Sequence, residues 1–138
     1  MHSQSHYYKE QIENRKREIE SIKRYEIERE KKSIEQEKRR IEDDKKRILS
    51  YRERKKRRSE YFSDRLKSAS SSNKQSLRDS KKREMESINR DIDGEKKRIQ
   101  DKKNNIQRYK DLITRHKEKI SSKKEQIKTI KESLKKTK

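Results

Sequence analysis

The sequence predicts an all-α protein: an elongated antiparallel two-helix coiled-coil hairpin with a Ser-rich turn. Three observations carry that prediction. Charged residues make up 52% of the 138-residue chain and hydrophobic ones only 22%, with one Gly and no Pro. Globular domains run nearer an apolar share of about 45–50%, so composition disfavours a compact globule. It leaves two classes, a disordered polyelectrolyte or long helices meeting along a narrow seam, between which periodicity decides. Apolar residues then recur at helical coiled-coil spacing in both halves, and a single stretch poor in helix formers separates the halves.

The first arm, about residues 6–66, carries Ile12, Ile19, Ile27, Ile34, Ile41 and Ile48. The steps are 7, 8, 7, 7 and 7 residues, which average 3.6 per helical turn, so this arm can stay nearly straight. Acidic residues precede basic ones by four at Glu13–Arg17, Glu20–Arg24 and Glu28–Lys32, and again at Glu35–Arg39, Glu42–Lys46 and Glu53–Arg57. Each such pair supports a helix by roughly 0.2–0.5 kcal/mol.

The turn is assigned to "KSASSSNKQS", residues 67–76, because Ser and Asn side chains compete with helical backbone bonds. "SLRD" places Ser76 three residues before Asp79, a capping-box-like start for the second arm at about residues 77–135. That arm repeats without a miss: Met85, Ile92, Ile99, Ile106, Ile113, Ile120, Ile127 and Leu134. A strict seven-residue repeat is the period of a left-handed coiled coil. The whole chain, 1–138, reads as one helical hairpin.

If the arms run antiparallel, facing residues have numbers with a constant sum. A sum of 142–143 centres the turn on Ser71–Ser72 and sets Leu66 on Leu77, Arg58 on Met85 and Lys55 on Ile88. It also sets Ile48 on Glu95, Asp44 on Ile99, Ile41 on Lys102, Ile27 on His116 and Ile22 on Ile120. Nearly every layer then receives an aliphatic residue. The alkyl stems of Lys55 and Arg58 are expected to cover Ile88 and Met85 while their charges reach water. An unbroken helix forming a parallel dimeric rod is the competing architecture, because neither Gly nor Pro enforces the turn.

Lys and Arg number 46 against 26 Asp and Glu, a net charge of +20. A field of that size favours acidic partners: nucleic acid, an anionic membrane face or an acidic protein. Six of the seven residues from Arg52 to Arg58 are basic. The plainest reading of that run is a solvated helix face; a nuclear address or a contact for an anionic partner through Arg52, Arg54, Lys56 and Arg57 are the alternatives. The apolar residues off the seam, Tyr7, Tyr25, Tyr61, Leu49 and Leu112, are candidate contacts for another chain. A thin seam leaves a lone hairpin marginal, which argues for a helical protein partner or self-association.

Catalysis finds no support in the sequence, and no enzyme is expected. There is no Cys, so no disulfide, thiolate zinc site or cysteine nucleophile. His2, His6 and His116 lack metal-ligand spacing, no cofactor is implied, and Gly94 stands alone rather than in a phosphate-cradling loop. Asp43–Asp44 and Asp91–Asp93 are read as solvated carboxylates. "MHSQSHYYKE" has no apolar signal-like region and no apolar run is long enough to span a membrane, so a cytoplasmic location is expected, or export as part of a complex.

The segments "YYKEQIENRKREIESI" and "INRDIDGEKKRIQDKKNNI" resemble the arms of small helical-hairpin proteins encoded beside LXG-type toxins of Gram-positive type VII secretion, relatives of the WXG class. The family's turn often carries Trp-X-Gly, where this sequence has "SASSSNK" and no Trp. The resemblance implies a dedicated partner or targeting factor for the helical N-terminal domain of a toxin. The competing functional class is a basic coiled-coil protein that binds nucleic acid non-specifically.

Overall fold

The computed structural model describes residues 2–137, with side chains from Gln4 onward. Every described element is helical. Helix α1 (His2–Ser21) passes into a π-helical segment (Ile22–Ile27), then α2 (Glu28–Ser68) and α3 (Ser71–Lys136). No strand occurs among the described residues, so the all-α class holds.

The π segment marks a difference from the sequence reading. The eight-residue step from Ile19 to Ile27 overshoots two α-helical turns by about 80° at 3.6 residues per turn. The first arm does not spread that excess over ten turns. It confines it to Ile22–Ile27, where the wider π turn takes up one residue and leaves Ile19, Ile22 and Ile27 all buried. The displaced side chains, Tyr25 among them, face water.

Helix α2 stops at Ser68 and α3 starts at Ser71, so the interruption is Ala69–Ser70, inside the Ser-rich stretch. The Ser70 carbonyl accepts the first bonds of α3, from the amides of Asn73 and Lys74, both at 3.0 Å. Ser76 is therefore inside α3 rather than at its start, and Asp79 accepts from Gln75 one turn back at 3.0 Å. No described residue needs a positive φ, which is how the break forms without glycine.

The chain divides into two compact units. The first comprises Met1–Gln36 and Asn105–Lys138, the second Glu37–Asn104. In the first, Ile12, Ile19, Ile22, Ile27, Ile120 and Ile127 form one buried cluster, with Ile113, Ile130 and Leu134 packed against it. In the second, Ile48, Ile88 and Ile92 are the buried cluster, flanked by Tyr51, Met85 and Ile99. Each unit thus takes apolar side chains from both an early and a late helix.

Candidate functional site

The stripe residues of the early helices, Ile12, Ile19, Ile27, Ile34, Ile41 and Ile48, are all buried. Along α3, Ile92, Ile120 and Ile127 are buried, while Met85, Ile99, Ile106, Ile113 and Leu134 are half-buried. The seam of the second unit also contains charge. Asp44 is only 1% exposed, the most enclosed side chain described, and it is not on a solvated face as its neighbour Asp43 is. Its carboxylate accepts from Lys102 Nζ across the seam and from Arg47 Nη1 at 3.0 Å on its own helix. The ion pair thus joins two residues that the sequence reading set opposite Ile99 and Ile41, the Lys102 side chain reaching about one turn along the seam to a buried carboxylate that needs a counter-charge. Glu95, also buried, accepts from Arg98 Nη1 at 2.7 Å, and Arg47 approaches it to 3.9 Å. Glu37 accepts from Arg40 at 2.8 Å and, in the first unit, Glu30 from Arg29 at 3.2 Å. In all these cases the carboxylate is inside and the cation reaches in from the edge.

Arg52, Arg54, Lys56 and Arg57 are exposed on α2. Arg52 and Lys56 line a groove with Lys55, Lys67 and Met85, in which Glu60 and Asp64 also stand. The Arg58 side chain stays 38% exposed and also does what was not expected of it, clamping a carboxylate. Its Nε and Nη2 bond the two oxygens of Glu84 at 2.5 and 3.1 Å, while its guanidinium stacks 4.4 Å from the Tyr61 ring centroid and 5.3 Å from that of Phe62. The bidentate bond holds the Glu84 carboxyl below its ordinary range, with burial working against it, and raises the guanidinium's own proton affinity. In the first unit the bond from Lys123 Nζ lowers Glu18 in the same way.

His116 is buried in the first unit, with Nδ1 3.2 Å from Glu26 Oε2. Neither ring nitrogen makes a hydrogen bond of acceptable geometry with a described residue. Glu26 is within the π segment, so the extra residue is what brings a carboxylate beside this imidazole. His6 is exposed, and the His2 side chain is outside the described residues. No group of three His, Cys, Asp or Glu side chains capable of holding a metal occurs among the described residues. No described helix is long and apolar enough to cross a membrane.

Of the apolar residues off the stripe, Tyr7, Tyr25, Leu49 and Tyr61 are exposed, and Leu112 is half-buried. Sequence reasoning missed the Arg58–Glu84 clamp and the Asp44–Lys102 pair. The register sum of 142 already sets Arg58 beside Glu84, but a reading tuned to apolar partners passed over the carboxylate. Asp44 and Lys102 lie about one turn off that register, and only side-chain reach brings them together. No protein-family model, curated protein or solved structure matches this chain.

Proposed function

We propose that this chain is a non-catalytic partner, adaptor or chaperone for another helical protein, built as an antiparallel two-helix coiled-coil hairpin that turns back within residues 67–76. The observation that carries the functional reading is the set of large hydrophobics left outside a thin seam: Tyr7, Tyr25, Leu49 and Tyr61 are 41–66% exposed. A helix surface that is otherwise charged gains from covering these side chains with a second apolar stripe. Support for antiparallel pairing comes from the cross-helix contacts inside each unit. Glu18 meets Lys123, Arg15 meets Gln126 and His116 meets Glu26 in the first; Asp44 meets Lys102 and Arg58 meets Glu84 in the second. In every pair a residue of the early helices meets one of α3, and as the first number rises the second falls: the numbers add to 141 or 142, except Asp44–Lys102 at 146, about one helical turn away.

The resemblance noted in the sequence makes the helical domain of a type VII secretion toxin one such partner, with the complex assembling in the cytoplasm. A second reading, non-specific nucleic-acid binding, is favoured by the exposed basic run at Arg52, Arg54, Lys56 and Arg57.

Two measurements test the proposal. Spin labels at Ser50 and Gly94, both in the second unit, should sit within a helix pair's diameter; one continuous helix would hold them about 66 Å apart at 1.5 Å per residue. A long distance in dilute monomer rejects the hairpin. Changing Arg52, Arg54, Lys56 and Arg57 together to Gln should abolish duplex DNA binding yet leave association with a helical partner intact at about 0.3 M salt, where apolar contacts persist and surface charge is screened. Loss of cellular function with every protein contact preserved would instead favour the nucleic-acid reading.

A further inference from the structure

One edge of the first unit carries a charge pattern separate from the run at 52–58. On α3, Lys110, Lys117, Lys124 and Lys131 recur every seven residues, and all four are exposed. None makes an ion pair with another described residue, although the chain forms many such pairs elsewhere. On the early helices Lys16, Lys23 and Lys31 occupy the equivalent place, each one residue past the seam position. The two rows converge. Lys23 and Lys31 from one side and Lys117 and Lys124 from the other line a groove whose floor includes Ile27 and Ile120. The single acid in that lining, Glu28, is 3.5 Å from Lys31 Nζ.

The π segment builds this arrangement. Seven residues after Lys23 comes Glu30; with one residue absorbed in Ile22–Ile27, Glu30 turns into the seam, where it is 4% exposed, and Lys31 takes the edge instead. Each lysine of the α3 row is followed by an exposed acid, Asp111, Glu118, Glu125 and Glu132, one residue further round the helix. Within the groove lining itself four lysines meet one carboxylate, Glu28, so the lining carries net positive charge and its lysines repel. An anionic partner is what relieves the repulsion.

We propose that this lysine-lined groove is a docking track for an acidic amphipathic helix of another protein, one with carboxylates at seven-residue spacing flanking an apolar stripe. The inference rests on the helical-partner reading above and names the edge and the chemistry of that contact. The geometry selects a helix over a nucleic acid. From Lys110 to Lys131 the row advances about 31 Å along α3 at 1.5 Å per residue, with a charge about every 10.5 Å and a slow drift of about 20° per repeat. A helix with the same repeat presents a carboxylate to each lysine. A duplex strand winds once in about 34 Å and leaves such a line within half a turn.

The test uses the full chain and three fluorescent probes at about 0.15 M salt, near-physiological screening. They are a four-heptad helical peptide with Glu on both flanks of a Leu stripe, a peptide of the same composition in shuffled order, and arbitrary duplex DNA. The heptad peptide should bind, and Lys23→Gln, Lys31→Gln, Lys117→Gln and Lys124→Gln together should weaken it about tenfold, since four screened surface pairs sum to roughly one decade. A control with Arg115→Gln, Lys119→Gln, Lys128→Gln and Lys135→Gln removes the same charge off the track and should stay within about threefold, as for scattered surface charge. Arg at the four track positions keeps the charge and should retain binding, which guards against a variant that merely unfolds. Equal binding of the shuffled peptide, or equal loss in both Gln variants, overturns the track and leaves the helical-partner reading standing. Failure of the heptad peptide with track-dependent DNA binding overturns both. Self-association that the track variant abolishes would assign the groove to a second copy and overturn the inference.

Discussion

The first unit gathers six isoleucines in one buried cluster; the second gathers three, buries Ile41 and Phe62 apart from them, and places paired charge around Asp44 and Glu95 in the same seam. The same stripe pattern therefore yields two kinds of cohesion. Apolar burial is indifferent to salt and to the identity of one neighbour. A buried ion pair is held by mutual dependence: complete, it offsets its own desolvation, and with one member gone it leaves an uncompensated charge.

The sharpest way to separate the two is to damage each. Asp44→Ala strands Lys102 and should cost about 3 kcal/mol, the lower end for breaking a buried pair because Lys102 keeps a route to water. Ile127→Ala in the first unit should cost a similar amount, about 2–5 kcal/mol. Amide exchange read separately over 37–104 and over the first unit should assign each loss to its own segment. The difference is in repair. Asp44→Leu with Lys102→Met should restore the second unit or exceed the wild type, since apolar replacements of buried pairs are commonly neutral or stabilising. If the double variant is as damaged as Asp44→Ala, the charge is not what holds that seam.

Acid should act on both units, because Lys123 holds Glu18 below its ordinary range in the first and Arg58 holds Glu84 below it in the second. The unfolded chain binds these protons at a higher pH than the folded one. Their contribution is complete above the ordinary Glu value of about 4.3 and is lost as pH falls through the lowered folded value. The thermal midpoint should accordingly drop below that pH, and Glu18→Gln and Glu84→Gln should each flatten the profile. Both sites are solvated, so the loss is small, and an unchanged midpoint down to the folded value would show the pairs to be idle.

The smallest effect belongs to Gly94, in the interior of α3 of the second unit, where an added Cβ meets nothing within 4 Å. Gly94→Ala should stabilise by about 0.5–1 kcal/mol by restricting the unfolded backbone. A loss in urea titration would mean that this position needs its flexibility.

The helical class was legible because composition and period agree: Glu, Lys and Arg favour helix, and one Ile per two turns has no other use in so polar a chain. The interruption at Ala69–Ser70 falls where helix formers are scarcest, so propensity alone pointed near it. The π segment was visible only as an eight in a row of sevens. An average cannot say whether the surplus is spread or concentrated, and packing decides that by keeping Ile22 and Ile27 inside. The inward turn of Asp44 toward Lys102 was hidden for another reason. A seam position filled by a polar residue shows that something must satisfy it, not which diagonal neighbour will. The lysine rows were written at the same seven-residue period as the isoleucines, and a reading tuned to apolar residues passes over them.

In terms of inherited length change, the π segment is a seven-residue pattern that carries one residue too many. A single-residue insertion ordinarily rotates everything downstream by a third of a turn and would turn an Ile stripe outward. Here the surplus stays local, with Tyr25 spilled to solvent and the stripe resumed at Ile27. The segment is thus the place where this arm can gain or lose one residue and keep its pattern on both sides. Among related sequences, a gap of one position should fall between Ile22 and Ile27 more readily than anywhere else in the arm.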